Sequence, residues 1–316
     1  MHYVAGVDLG GTNSKIGILN ENGDLLKSTS IKTLSEEGVE KCLTRIWKTI
    51  QELAKEIDVP INSIEGIGIG IPGPVKNQEI VGFFANFPWG KNLNIREIMQ
   101  KITGIEKIKL DNDVNVIALG EAKYGAGRGT VSSVTVALGT GIGGGIYVDG
   151  KLISGFSGAG GEIGHIKIEK DGKLCGCGQK GCFEAYASAT GLIRECISRL
   201  IINKDNEIYR LVKGNIYQVE AKTIFDAAKL GDKFALELID YEAEYLALGL
   251  GNILNIINPE ILILGGGVSQ AGEILLGPVK EKLKKYALPV TLENFEIRIG
   301  ELGNDAGIKG ASALVL

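Results

Sequence analysis

The chain has 316 residues, of which 44% are hydrophobic and 23% charged, and a formal charge of -4. Those figures describe a globular protein with ample material for a core and enough length for about two domains. They argue against a general nucleic-acid surface, which needs an excess of cations, but leave room for a phosphate ligand held at one local site.

Tyr3 to Leu9 reads as a buried strand that runs into a turn, Gly10-Gly11-Thr12-Asn13-Ser14-Lys15. Ile16 to Leu19 continues as a second strand, Asn20-Glu21-Asn22-Gly23-Asp24 is a hairpin signal, and Leu25 to Ile31 returns as a third. Asp8 interrupts the apolar continuity that a signal peptide would need. Helical periodicity runs from about Val39 to Ile57, and an apolar strand, Ile64 to Ile71, stops at Pro72-Gly73-Pro74. A helix is expected over Val114 to Tyr124. Ser133 to Leu138 is a strand ending in Gly139-Thr140-Gly141-Ile142-Gly143-Gly144-Gly145; Ile146 to Val148 continues, Asp149-Gly150 turns, and Leu152-Ile153 returns. Further helices are expected over Ala185 to Leu200, Thr223 to Lys229 and Lys233 to Ile257, with a polar, irregular stretch at Asn203 to Val219. Ile261 to Leu264 is a buried strand closed by Gly265-Gly266-Gly267. The apolar run from Leu246 to Leu264 is broken by Asn252, Asn255, Asn258, Pro259 and Glu260, so no transmembrane helix is expected. One order of strands and turns thus occurs twice, and it predicts two similar α/β halves.

Gly139 to Gly144 and Gly68 to Gly73 both contain the letters G-x-G-x-x-G, yet the first is followed by a strand where a dinucleotide fingerprint needs a helix. A P-loop sequence is absent. Two Gly/Thr turns at strand ends remain, at 10–13 and 139–145. Glycine lets backbone N–H groups approach phosphate oxygens closely and form anion-binding nests. Thr12 and Thr140 can add hydroxyls, Lys15 a positive charge, and Asp8 can hold a water of a magnesium ion. The plainer alternative is that each turn is only a tight hairpin; the pairing on two halves favours phosphate.

Between Glu162 and Glu184 lie one of the chain's two histidines and three of its five cysteines: Glu162-Ile-Gly-His165, a polar link, then Cys175-Gly-Cys177-Gly-Gln-Lys-Gly-Cys182-Phe-Glu184. Three thiolates and an imidazole make a tetrahedral zinc set, although Cys175 and Cys177 have one residue between them where two to four are usual. Buried small hydrophobes are the alternative, and the interleaved glycines fit a core poorly. Four protein ligands leave no open position, so the zinc would be structural. Clustered cysteines point to a reducing compartment, and cytoplasm is the expectation.

Taken together, Asp8-Leu-Gly-Gly-Thr12, Gly70-Ile-Pro-Gly73, Asn86-Phe-Pro, Asn112-Asp113, Leu138 to Gly145, Glu162 to His165, Cys175-Gly-Cys177, Gly181-Cys182-Phe-Glu184, Asn258-Pro-Glu260 and Gly265 to Gly267 resemble the ROK family (repressors, open reading frames and sugar kinases), and within it the bacterial glucokinases. The resemblance covers nearly the whole chain. It implies an α/β, actin-like (ribonuclease-H-like) fold of two lobes closing around ATP and a sugar. The first would be 1–112, joined by a C-terminal helix over 303–316, and the second 113–302 with the zinc loop. It implies that Asp113 is the catalytic base, that Asn112, Glu162, His165 and Glu184 bind sugar hydroxyls, and that Asn86 is a further sugar contact. His165, Cys175, Cys177 and Cys182 would hold Zn2+, and the adenosine end of ATP would lie near Gly265, Gly266, Gly267 and Val268. A homodimer or larger assembly is implied as well.

Two departures stand out. Relatives usually read Asn-Asp-Ala-Asn-Ala where this chain has Asn112-Asp113-Val114-Asn115-Val116, and Trp89 follows Asn86-Phe87-Pro88 directly. The activity implied is ATP-dependent hexose phosphorylation, with glucose first and fructose, N-acetylmannosamine or allose after it. ROK repressors carry a DNA-binding extension before the first strand, which here begins near Tyr3, so the kinase reading is preferred. With only His2 and His165 present, a histidine base is not expected; a carboxylate suffices, because the alcohol proton moves late. Asp113 at a helix start would stay ionised in the dipole, its alternative role being an N-terminal cap. Glu162 and Glu184 would be ordinary surface acids if the metal loop did not hold them.

Overall fold

The computed structural model describes residues 2–84 and 87–316, so Asn86 lies outside the described residues. In chain order the first elements are β1 (Tyr3–Leu9), β2 (Asn13–Asn20), β3 (Leu25–Lys32), α1 (Val39–Glu56), β4 (Ile64–Ile71), β5 (Val75–Lys76), β6 (Ile80–Phe83), β7 (Lys91–Asn94), α2 (Ile95–Thr103), β8 (Lys107–Asn112) and α3 (Asp113–Tyr124). They are followed by β9 (Ser132–Leu138), β10 (Ile142–Val148), β11 (Lys151–Leu152), α4 (Glu184–Ala187), α5 (Ala189–Leu200), α6 (Glu207–Leu211), α7 (Ala221–Lys229) and α8 (Lys233–Ile257). The chain closes with β12 (Ile261–Gly265), α9 (Glu273–Tyr286), α10 (Pro289–Leu292), β13 (Glu296–Ile299) and α11 (Ala306–Ala313).

The duplication read from the sequence is visible in the sheets. One has the order β3-β2-β1-β4-β8 and the other β11-β10-β9-β12-β13. In the first, β1, β2 and β3 pair antiparallel, and β4 and β8 run parallel to β1. In the second, β10 and β11 pair antiparallel and β12 and β13 parallel. A third, small sheet, β5-β6-β7, has no counterpart in the sequence reading.

The residues group into two compact units. One comprises Met1–Thr135, Gly145–Gly161 and Gly300–Leu316; the other comprises Val136–Gly144 and Glu162–Ile299. In the first unit the sheet is covered on both faces, which is why β1 and β4 are apolar nearly throughout rather than alternating. On one face Leu43, Ile46, Ile50 and Leu53 of α1 and Ile95 and Met99 of α2 pack on Val7, Ile67, Ile69 and Leu110. On the other, Val116 and Leu119 of α3 join Ile308, Ala311 and Val315 over Val4 and Leu19.

A buried carboxylate ties the C-terminal segment into this unit. Glu121 of α3 accepts N–H bonds from Ala126 (2.9 Å), Glu301 (3.1 Å) and Leu302 (3.0 Å). Replacing it with alanine removes the shared acceptor of three backbone N–H groups, that of buried Ala126 and those of the exposed Glu301 and half-buried Leu302, which water can partly serve. Losing a buried hydrogen-bond partner costs roughly 1–3 kcal/mol. Glu121→Ala is therefore expected to lower the melting temperature by about 2–6 °C, read by calorimetry; a shift near zero would show that water serves those donors equally well.

Three segments differ from expectation. The helix expected over Ala185–Leu200 is broken at Ser188, whose backbone is extended and whose Oγ caps α5 by accepting from Gly191 N–H at 3.1 Å. The stretch 203–219 is not wholly irregular, because Asn206 caps the short helix α6. The C-terminal helix is confined to Ala306–Ala313, after a 3-10 turn at Gly303–Asp305.

Candidate active site

Three strands bring the acids of the first unit to one end of its sheet. The register pairs Asp8 with Gly70 and Gly70 with Asp111, so the two aspartates share a row with a glycine between them. Across the hairpin Asp8 pairs with Lys15. Burial pushes the Asp8 carboxyl above its ordinary value, Lys15 opposes this, and the nearby Asp113 adds to it. The Lys15 ammonium donates to Asn304 O (3.3 Å) and Oδ1 (3.4 Å). Between the strands, Gly10 N–H donates to Asn13 O at 3.2 Å, which closes the turn and leaves Gly11, Thr12 and Asn13 exposed.

The helix cap belongs to Asn112, not Asp113. Asn112 Oδ1 accepts from Val114 N–H (2.9 Å) and Asn115 N–H (3.3 Å), and its Nδ2 donates to Gly73 O at 3.3 Å. Asp113 is thereby freed to stand as the first helical residue, its Oδ1 accepting Val114 N–H at 3.0 Å. Burial raises its proton affinity, while the N–H groups of the helix start and the Asn112 side chain pull it back. The result is a carboxylate that is fixed at the positive end of a helix and holds a proton more readily than a solvated aspartate.

In the second unit the four expected metal ligands are together. One donor atom from each of His165, Cys175, Cys177 and Cys182 lies within 4.8 Å of the others. Cys177 Sγ and Cys182 Sγ are 3.7 Å apart, and Cys175 Sγ and His165 Nδ1 3.8 Å. A tetrahedron with Zn–S bonds of about 2.3 Å has edges of about 3.8 Å, so the donor set fits zinc. Nδ1 is the nitrogen turned to the cluster, and Nε2 looks toward Glu162 Oε2 at 3.9 Å. Glu162 itself is exposed.

Glu184 links this loop to the second Gly/Thr turn. Its Oε2 accepts Ile142 N–H at 2.9 Å, and its Oε1 lies 3.3 Å from Cys175 Sγ. Gly141 must be glycine for this to happen: a Cβ there would stand 2.2 Å from Glu184 Oε2. The turn is closed by Gly139 N–H on Gly141 O (3.0 Å) and anchored by Ala189 N–H on Gly139 O (3.0 Å).

Gly139 and Thr140 also form one wall of a cleft of about 570 Å³ in this unit, with Gly267, Val268, Ala271, Lys222 and Phe225 among the other residues. Gly266, at φ +85°, lets the chain pass Leu138 O, where a Cβ would come within 2.3 Å. Of the expected glycines 265–267, Gly267 lines this cleft. That Phe225 and Lys222 line this cleft was not legible in the sequence, where α7 shows only an amphipathic pattern.

A duplicated α/β frame with a Gly/Thr turn in the first hairpin of each half defines the actin-like, ribonuclease-H-like class of ATP-using proteins. The model of the ROK family matches residues 4–316. A glucokinase of Thermotoga maritima is 41% identical over 311 residues, covering 98% of this chain and 96% of its own. A glucokinase of Halalkalibacterium halodurans is 37% identical, covering 99% and 94%. Among solved structures, the ROK family glucokinase from Streptomyces griseus in complex with glucose and AMPPNP is similar, with a TM-score of 0.81, 31% identity and 99% of each chain covered. The chain belongs to the ROK family.

Proposed function

We propose that the chain is an ATP-dependent hexose kinase that converts glucose to glucose 6-phosphate. The observation that carries this reading is the near full-length likeness to the Streptomyces griseus glucokinase that binds glucose and AMPPNP. In the reaction the O6–H bond of the sugar breaks and an O6–Pγ bond forms. The bond from Pγ to the β,γ-bridging oxygen breaks, and ADP leaves. Asp113 takes the hydroxyl proton; its burial, which raises its proton affinity, suits it to hold that proton late in the transfer. Asn112 would offer the remaining capacity of its amide to the sugar, and Asn86, outside the described residues, is a further contact.

Glu162, His165 and Glu184 would accept or donate to the other hydroxyls. His165 Nδ1, Cys175, Cys177 and Cys182 would hold Zn2+ as a structural pin with four protein ligands and no place for a reactive water. His165 Nε2 then keeps a fixed direction, as a ring nitrogen does when its partner is ligated. The cleft beside Gly267 and Phe225 suits an adenosine, with the amides of Gly139 to Gly141 and Gly10 to Asn13, the hydroxyls of Thr12 and Thr140 and the charge of Lys15 serving phosphates. Asp8 would hold Mg2+ through its waters, which this ion surrenders reluctantly.

The chain is read as cytoplasmic and as a homodimer or larger; among the described residues no helix is long and apolar enough to cross a membrane. A coupled ADP-release assay over glucose, fructose, mannose, N-acetylmannosamine, N-acetylglucosamine and allose tests the reading. Glucose should give the highest kcat/KM; a clear preference for another hexose would replace glucose, and turnover with none would remove the kinase assignment.

A further inference from the structure

Asp111 is buried one residue before the turn that carries Asp113, and all its polar contacts go to parts of that neighbourhood. Its Oδ1 accepts Asn112 N–H at 2.8 Å and Asn115 Nδ2–H at 2.8 Å. Its Oδ2 accepts the Ser154 hydroxyl at 3.1 Å. These bonds oppose the burial that raises its proton affinity. Asn115 is 1% exposed, and its Oδ1 has no partner among the described residues. The bond to Asp111 is thus what fixes that side chain.

Ser154 opens a glycine-rich strap, 154–161. Gly160 N–H donates back to Ser154 O at 2.8 Å, and Gly158 lies so close to β5 that a Cβ would be 2.0 Å from Val75 O. Phe156 at the strap's crest is 96% exposed. The strap is therefore seated by close backbone approach at its middle, by Lys76 over the Phe156 ring and, among the described residues, by one side-chain hydrogen bond, Ser154 to Asp111, at its start. On the other side of the same carboxylate stand the Asn112 N–H and the first turn of α3, whose cap is Asn112.

We propose that Asp111 is a positioning residue: its carboxylate locks the Asn112-Asp113 turn and the 154–161 strap into one fixed register. The proposal rests on the reading of Asp113 as the base. A base must meet its hydroxyl to within a fraction of an ångström, and rigid support by buried hydrogen bonds is what supplies that tolerance. Loss of the acceptor would leave the turn capped by Asn112 but free to rock, and would release the strap at its start. Asparagine at 111 should substitute: its Oδ1 can accept both N–H groups and its Nδ2 can donate to the Ser154 oxygen.

The test compares the full-length wild type with Asp111→Ala, Asp111→Asn, Ser154→Ala and Asp113→Asn. For each, kcat and both KM values, AMPPNP and glucose affinity by calorimetry, and melting temperature are measured. Asp111→Ala is expected to lose about 100-fold in kcat, with AMPPNP affinity kept within about twofold. Asp111→Asn should keep roughly a third or more of wild-type kcat, since geometry and not charge is what the position supplies. Ser154→Ala, which removes one hydroxyl, should lose about threefold or more in kcat/KM for glucose at an unchanged KM for ATP. Equal impairment of the Asn and Ala variants at 111 would overturn the proposal, as would wild-type kinetics in Ser154→Ala. If Asp111→Ala fails to fold, the Ser154→Ala result decides alone. Undiminished turnover in Asp113→Asn would instead remove the base assignment, whatever the other variants show.

Discussion

Asp113→Asn is expected to lower kcat by about 100- to 10,000-fold while glucose and AMPPNP still bind, because removing a general base costs that much. The substitution is nearly isosteric, and the Asn side-chain oxygen can still accept Val114 N–H as Asp113 Oδ1 does. What it loses is the capacity to take the sugar proton. A pH profile gives the same claim a second face. Burial is the largest influence on the Asp113 carboxyl and raises its proton affinity above the ordinary aspartate value. The ionised form is the active one, so activity should fall as pH drops through that raised pKa. The acid limb of kcat/KM should accordingly lie above the usual aspartate range, near 3.9, and vanish in the variant. Wild-type turnover in Asp113→Asn would remove this residue from the mechanism.

Cys177→Ser carries the second large effect. Cys177 is the exposed member of the cluster, 3.7 Å from Cys182 Sγ, so its replacement perturbs the core least and the metal most. A structural zinc contributes on the order of 10 kcal/mol to local folding, far more than the apolar contacts of so short a loop. Bound zinc, measured by mass spectrometry of the purified protein, should fall from one per chain to well below it. Hydrogen exchange should quicken over 162–184, and glucose affinity should drop more than AMPPNP affinity. Some effect on the nucleotide is expected, because Glu184 reaches from this loop to the Ile142 N–H of the Gly/Thr turn. Unchanged zinc content in Cys177→Ser would contradict the ligand assignment.

Much of the frame was legible in the chain because its signals are local. The strands Tyr3–Leu9 and Ile64–Ile71 announce themselves as apolar runs bounded by glycine or proline, and both are observed at those limits. Helix Lys233–Ile257 was legible for the opposite reason: its 25 residues outlast any strand. The metal loop was legible because three cysteines and a histidine among glycines suit little else, and the structure brings their donor atoms together. What escaped depends on distance in sequence. Nothing near Glu121 reveals that it accepts N–H bonds from residues 180 and 181 positions away. The small sheet β5-β6-β7 has strands of two to four residues, too short for any periodicity. Ser188 was hidden inside an apolar pattern that continues unbroken through it, although its hydroxyl starts a new helix. The division of labour between Asn112 and Asp113 was also invisible, since either could cap a helix; only the Oδ1 contacts to Val114 and Asn115 assign the cap to Asn112.

The same contrast explains why the acids could be named but not weighed. A sequence shows that Asp8, Asp111 and Asp113 exist; the sheet register places Asp8 and Asp111 in one row, and burial above all makes each of the three hold its proton more tightly. For Asp113 that tightening is useful to a base, whereas Asp111 is buried and occupied by three hydrogen bonds within its own unit.

Phosphorus NMR of the purified protein with magnesium, ATP and glucose reads the central claim at the bond that forms. The account predicts ADP and a new phosphomonoester in equal amounts, the ester split into a triplet by the two protons on C6. Inorganic phosphate without an ester, an ester on another carbon, or ATP left intact would contradict it.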